Sequence, residues 1–147
     1  MTRREMREHC FKMLFCRDFY PEQETLGQMQ EYFLAPAEEE TEEGIDQIIH
    51  SVEMEEKDRE ELLAKSEAVL ARIPEIDAKI NEVTEGWKTR RMGKVELTIL
   101  RLAFYEILYD ESIPDKVAIN EAVELGKKFG QEEAGSFING ILAKLVR

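Results

Sequence analysis

The sequence predicts an all-α fold, a compact bundle of about seven helices in two packed halves. Three observations carry this expectation. Helix formers dominate, with only four prolines and eight glycines in 147 residues. Apolar residues recur at three- and four-residue intervals, and the alternating runs of a half-buried strand are absent. Residues 94–145 read as three helices in close succession. The chain is expected to be one domain over residues 1–147, with an N-terminal half of about 1–86 and a C-terminal half of about 87–147. A chain of this length buries roughly 70 % of its unfolded surface, enough for an independent core.

Thr2 with Glu5 three residues later is a capping box, so the first helix should begin at Arg3. Met6, Cys10, Met13 and Leu14 form its core stripe, widened by Phe11 and Phe15, and Pro21 ends it. A second helix spans about Gln23–Leu34, with Leu26, Met29 and Phe33 inward, and stops at Pro36. Residues 37–43 read as an acidic loop and Gly44–Val52 as a short helix built on Ile45, Ile48, Ile49 and Val52. The charged residues 53–61 are a solvated surface or the start of the next helix, which carries Leu62, Leu63, Val69, Leu70 and Ile73. Pro74 kinks or interrupts it, and Ile76, Ile80 and Val83 continue towards Trp87.

The basic Lys88–Gly93 turn is the expected seam between the halves. Lys94–Tyr109 follows, apolar nearly all round, and such a helix must be surrounded by protein. Ile113-Pro114 breaks it, because a residue before proline avoids helical angles. The next helix runs from near Lys116 to Phe129, where Gly130 is expected to take a left-handed cap. The last carries Phe137, Ile138, Ile141, Leu142 and Leu145 at helical spacing.

The net charge of −12 argues against simple nucleic-acid binding, but its distribution changes that judgement. Residues 1–17 carry +3 and residues 87–101 carry +4, whereas residues 18–61 hold sixteen acidic and two basic residues. An anionic ligand samples the local field, screened beyond about 8 Å at physiological salt. No run of 18 apolar residues is present, so no membrane span is expected. No apolar signal-peptide segment follows the N-terminal arginines, and the expected location is cytoplasmic. Cys10 and Cys16, six apart on a helix, point more than about 100° apart and are read as free thiols.

Catalytic constellations are not found. His9 and His50 complete no Glu-x-x-His motif, two cysteines make no zinc set, and no glycine-rich phosphate loop occurs. No enzyme activity, metal or cofactor is expected. Arg3, Arg4 and Arg7 break local rules instead. Cations near a helix N-terminus oppose its dipole by about 0.3–1 kcal/mol each, and Arg3 with Arg7 is a like-charge i,i+4 pair. They are either a solubilising end, partly offset by Glu5 and Glu8, or arginines held out for phosphate. Phe137 is either core or a platform for an unpaired base. Glu96 is, on residue type alone, a first-turn glutamate favoured by the dipole. Asn120 and Asn139 read as structural polars.

The phrases ILRLAFYEILY, IPDKVAINEAVELGKKFG and SFINGIL, with RREMREHCFKMLF at the other end, resemble the NusB family of bacterial transcription antitermination factors. They stand in the family's order and separation. The resemblance implies a non-catalytic protein that binds boxA-type single-stranded RNA together with NusE, a small-subunit ribosomal protein, within the RNA polymerase antitermination complex on ribosomal RNA operons. It implies RNA contacts at Arg3, Arg4, Arg7, Lys128, Glu133 and Phe137, and a NusE face including Phe15 and Glu96. This chain departs from the family's pattern in its short arginine run interrupted by Glu5, in Phe15 where tyrosine is common, and in its acidic residues 37–61. These departures imply dependence on NusE. Two other readings stay open. One is a helper domain like that preceding some ribosomal RNA cytosine methyltransferases, which needs a catalytic domain after residue 147. The other is a helical interaction module with no RNA role. Monomer and homodimer both remain open for the free protein.

Overall fold

The structure, a computed structural model, describes residues 1–15, 39–41, 44–46, 54–85 and 88–147. Regular structure there is α1 (Arg3–Phe15), β1 (Glu39–Thr41), β2 (Gly44–Asp46), α2 (Glu56–Ala71), α3 (Ile73–Thr84), a 3-10 turn (Thr89–Arg91), α4 (Lys94–Tyr109), α5 (Asp115–Phe129) and α6 (Ala134–Leu145). The fold is all-α, with six helices among the described residues. The expected helix over Gln23–Leu34 lies outside them, as do Cys16 and Trp87. The chain divides into two compact units, Met1–Glu67 and Ala68–Arg147.

The expected helix over Gly44–Val52 is corrected where the structure describes it. Gly44–Asp46 is a strand, paired antiparallel with Glu39–Thr41 in the register Glu39↔Asp46, Glu40↔Ile45, Thr41↔Gly44. A segment of that length has too few residues to repay helix nucleation. Thr41 and Ile45 are β-branched and suit extended backbone.

In the first unit, the capping box forms. The Glu5 amide donates to Thr2 Oγ1 at 3.0 Å, and the Thr2 amide donates back to Glu5 Oε1 at 3.3 Å. Cys10, Phe11, Met13 and Leu14 are buried. Ser66 of α2, also fully buried, meets two sulfurs of α1. Its hydroxyl is 3.4 Å from Cys10 Sγ and donates to Met13 Sδ at 3.9 Å. Cys10 is a free thiol. The amino terminus lies 3.6 Å from the Asp58 carboxylate.

The second unit is built round α4. Leu97 through Phe104 is an unbroken buried run that includes Thr98 and Arg101. The helix packs against α3, α5 and α6. Arg101 is tied to α3 by a two-point pair, its Nε 2.8 Å and its Nη2 2.7 Å from the two Asp77 carboxylate oxygens. Thr98 Oγ1 donates to the Lys94 carbonyl at 2.7 Å, so its hydroxyl is satisfied inside the helix. At its C-terminal end α4 opens to solvent at Leu108 and Tyr109, where the Arg72 guanidinium stands 4.6 Å over the Tyr109 ring.

Pro74 interrupts rather than kinks. It sits in the first turn of α3, after α2 has ended at Ala71, where its missing N–H is no loss. Gly130 departs from the left-handed cap expected of it. Its φ of −93° and ψ of −179° are extended. Glycine is needed there for room, since a Cβ would lie 2.5 Å from Ala134 Cβ and 2.8 Å from the Gly126 carbonyl oxygen. Gly126, buried in α5, serves the same end. A Cβ there would meet Ile138 Cδ1 at 2.8 Å and the Gly135 amide at 3.3 Å. The two glycines let α6 lie close on α5.

Candidate nucleic-acid interface

The first group of expected contacts sits on α1, within the first unit. Arg3 and Arg4 are exposed. Arg7 is 5 % exposed, which corrects the expectation that all three arginines stand out into solvent. The cause is helical register. Residues 7, 10, 11 and 14 share one stripe, and Cys10, Phe11 and Leu14 are core. His9 is half-buried. Burial, with help from Lys12, lowers its pKa below the ordinary imidazole value, so it is neutral at pH 7. The Thr2 hydrogen bond lowers the Glu5 pKa, so Glu5 stays charged beside the arginines. Phe15, assigned to the partner face, is half-buried with its ring 6.0 Å from that of Phe11.

The second group gathers at an open cleft of about 840 Å³ in the second unit. The 3-10 turn supplies Arg91, the start of α4 supplies Glu96 with Gly93 before it, and the end of α5, the link and the first turn of α6 supply Phe129, Glu133 and Phe137. Glu133 is exposed at the N-cap of α6, and its carbonyl accepts the Phe137 amide at 3.1 Å. Phe137 is half-buried, between the core and platform extremes. Glu96 is half-buried too, and its carboxylate folds back over the cleft floor. One oxygen lies 2.5 Å from where a Cβ of residue 93 would be, the other 3.6 Å from that of residue 130. The expected partner residue Glu96 and the expected RNA residues Glu133 and Phe137 thus share one cleft.

Lys128 is exposed beside it, its Nζ 5.5 Å from the Phe129 ring. It stands in the last turn of α5, where a cation is favoured by the helix dipole. Sequence reasoning did not single out Arg91, Lys94 or Phe129 as site residues. The +4 balance of residues 87–101 was the available signal for the first two. Phe129 looked like a helix terminus and nothing more.

The cleft is chemically mixed. Arg91 and Lys94 line it together with Glu96, Glu132 and Glu133 and the aromatic Phe129 and Phe137. Such a site suits a flat polar ring better than a bare anion, because the carboxylates accept from ring amino groups while the aromatics cover the ring's faces. Among the described residues, no group of three or more His, Cys, Asp or Glu side chains is placed to hold a metal ion. No described helix is long and apolar enough to cross a membrane.

The NusB family model matches residues 4–147. The transcription antitermination protein NusB of Agathobacter rectalis is 43 % identical over 147 residues, covering 98 % of both chains. That of Lachnoclostridium phytofermentans is 42 % identical over 146 residues, covering 99 % of both. Among solved structures, NusB from T. maritima superposes with a TM-score of 0.79 at 30 % identity, over 99 % of this chain and 90 % of that one. This chain belongs to the NusB family.

Proposed function

We propose that this protein is a transcription antitermination factor that binds boxA-type single-stranded RNA together with NusE and has no catalytic activity of its own. The observation that carries the reading is the full-length similarity to relatives named as transcription antitermination proteins, 43 % identical across 98 % of both chains in the first case. The arrangement of side chains supports it. Arg3 and Arg4 stand exposed and charged on α1, and Phe137 presents part of its ring to a cleft that Glu133 borders. Phosphates would bind the arginines and Lys128, and a base would stack on Phe137. Arg7, mostly buried, would act by holding α1 in place, with at most the tip of its guanidinium reaching a phosphate. NusE would contact Phe15 in the first unit and Glu96 in the second. The whole chain would work as one cytoplasmic domain, and the RNA surface would be complete only in the heterodimer within the RNA polymerase complex.

Gel shifts on a boxA-like strand, with and without NusE, test this. The expected result is a weak shift with the protein alone and a much stronger one with NusE. No shift under either condition would leave a helical interaction module as the surviving reading.

A further inference from the structure

The turn between α3 and α4 carries more positive charge than the fold uses. Lys88, Arg90, Arg91 and Lys94 fall within seven residues that contain no acidic one, and all four are exposed. Lys88, Arg90 and Arg91 form no ion pair with any described residue. Like charges crowded this closely repel one another, and no described residue pairs with Lys88, Arg90 or Arg91.

The backbone beneath them is nevertheless fixed. The Thr89 amide donates to the Asn81 side-chain oxygen at 2.8 Å. The Arg91 amide donates to the Lys88 carbonyl at 2.9 Å, and the Met92 amide to the Thr89 carbonyl at 3.2 Å. Met92 itself is buried, pinning the far end of the turn. The cations therefore radiate from a rigid base rather than from a floppy loop. Arg91 also lines the cleft shared with Phe137. Fixed cations beside a partly open aromatic ring are what a single strand requires, the cations for its phosphates and the ring for a base.

We propose that the Lys88–Arg91 turn is a second backbone anchor for single-stranded RNA, gripping phosphates next to the nucleotide seated at Phe137. The proposal rests on the RNA-binding reading above and adds residues which that reading does not include. Arginine at two of the three positions suits it, since a guanidinium meets two phosphate oxygens at once.

The test is a salt titration of a boxA-like strand binding to the complex of the full chain with NusE. Three proteins are compared: wild type, the triple variant Lys88→Ala, Arg90→Ala, Arg91→Ala, and the double variant Arg90→Lys, Arg91→Lys. Each phosphate contact on a single strand contributes roughly 0.7 to the slope of log K against log salt. Losing three should flatten the slope by about 2 and weaken binding roughly 100-fold at about 0.1 M salt. The lysine variant should keep most of the slope, because point charges still neutralise phosphates. Thermal melts of the triple variant within a few degrees of wild type would show that the loss is not misfolding. A wild-type slope and affinity in the triple variant would overturn the second anchor while leaving the RNA-binding reading intact. Absence of RNA binding by the wild-type complex at every salt concentration would overturn both.

Discussion

Two segments of this acidic chain are basic, and they differ in how their cations are interleaved with acid. Residues 1–17 net +3 and residues 87–101 net +4, so by charge alone they look alike. On α1, Glu5 and Glu8 interleave the arginines, Arg7 turns into the core, and His9 is held neutral. Only Arg3 and Arg4 remain exposed among its arginines. In the second segment, the cations of the turn are exposed, but Arg101 is buried against Asp77. Among the described residues, each segment therefore holds one buried arginine, Arg7 or Arg101, beside exposed cations. Local net charge locates such regions; burial decides which cations a ligand can use.

That contrast yields measurable differences. The largest concerns Arg101→Ala, expected to cost about 3 kcal/mol of stability with no change in the salt dependence of RNA binding. The figure is the low end for a broken buried pair, because Asp77 keeps 23 % side-chain exposure. Denaturant melts check the first half and salt titration the second. An altered salt slope would place Arg101 among the usable cations and dissolve the distinction drawn here.

Phe137→Ala comes next. A half-buried ring should give up about 1–3 kcal/mol of RNA affinity and less stability than the 3–5 kcal/mol typical of a fully buried phenylalanine. Melts and RNA titrations on one purified variant separate the two. A large stability loss with normal affinity in the folded fraction would return Phe137 to the core.

The arginines of α1 should divide. Arg7→Ala is expected to destabilise by about 1–2 kcal/mol, since a buried stem and its contacts are lost. Arg3→Ala with Arg4→Ala should stay within about 0.5 kcal/mol, yet should flatten the RNA salt slope by roughly 1.4 if each meets one phosphate. Equal stability losses for the two variants would mean that burial does not distinguish them.

Glu96→Arg is expected to register in partner binding more than in stability. Reversal of a first-turn charge should cost at most about 1 kcal/mol, while NusE association weakens. Calorimetry showing unchanged NusE affinity would move the partner face away from this end of the cleft.

Local signals were the legible ones. Thr2 and Glu5 announced the start of α1, and both reciprocal bonds form. The all-round apolar pattern of residues 95–108 announced a surrounded helix, and α4 is buried continuously from Leu97 to Phe104. Features that depend on a partner distant in sequence were not legible. Arg101 counted towards the basic balance of its segment because Asp77 lies twenty-four residues away. Gly130 fitted the left-handed pattern at a helix end, but the approach of Ala134 explains it instead. The paired strands Glu39–Thr41 and Gly44–Asp46 were hidden by composition, since residues 39–46 hold five acidic residues beside a single isoleucine. The cleft was half legible. Glu96, Glu133 and Phe137 drew notice singly, and nothing in their spacing showed that they meet.

The hydroxyl of Ser66, set between Cys10 and Met13, has a consequence for the chemistry of ageing. Both sulfurs are almost wholly shielded, Cys10 at 0 % and Met13 at 1 % exposure, so peroxide or an alkylating reagent reaches them only when the first unit opens. A thiol reagent that reacts faster than the unit recloses therefore times that opening at Cys10. Once oxidised, Met13 would carry a polar sulfoxide into a site shaped for a thioether. Damage there would keep the first helix from reseating, so a single oxidative event could retire the molecule.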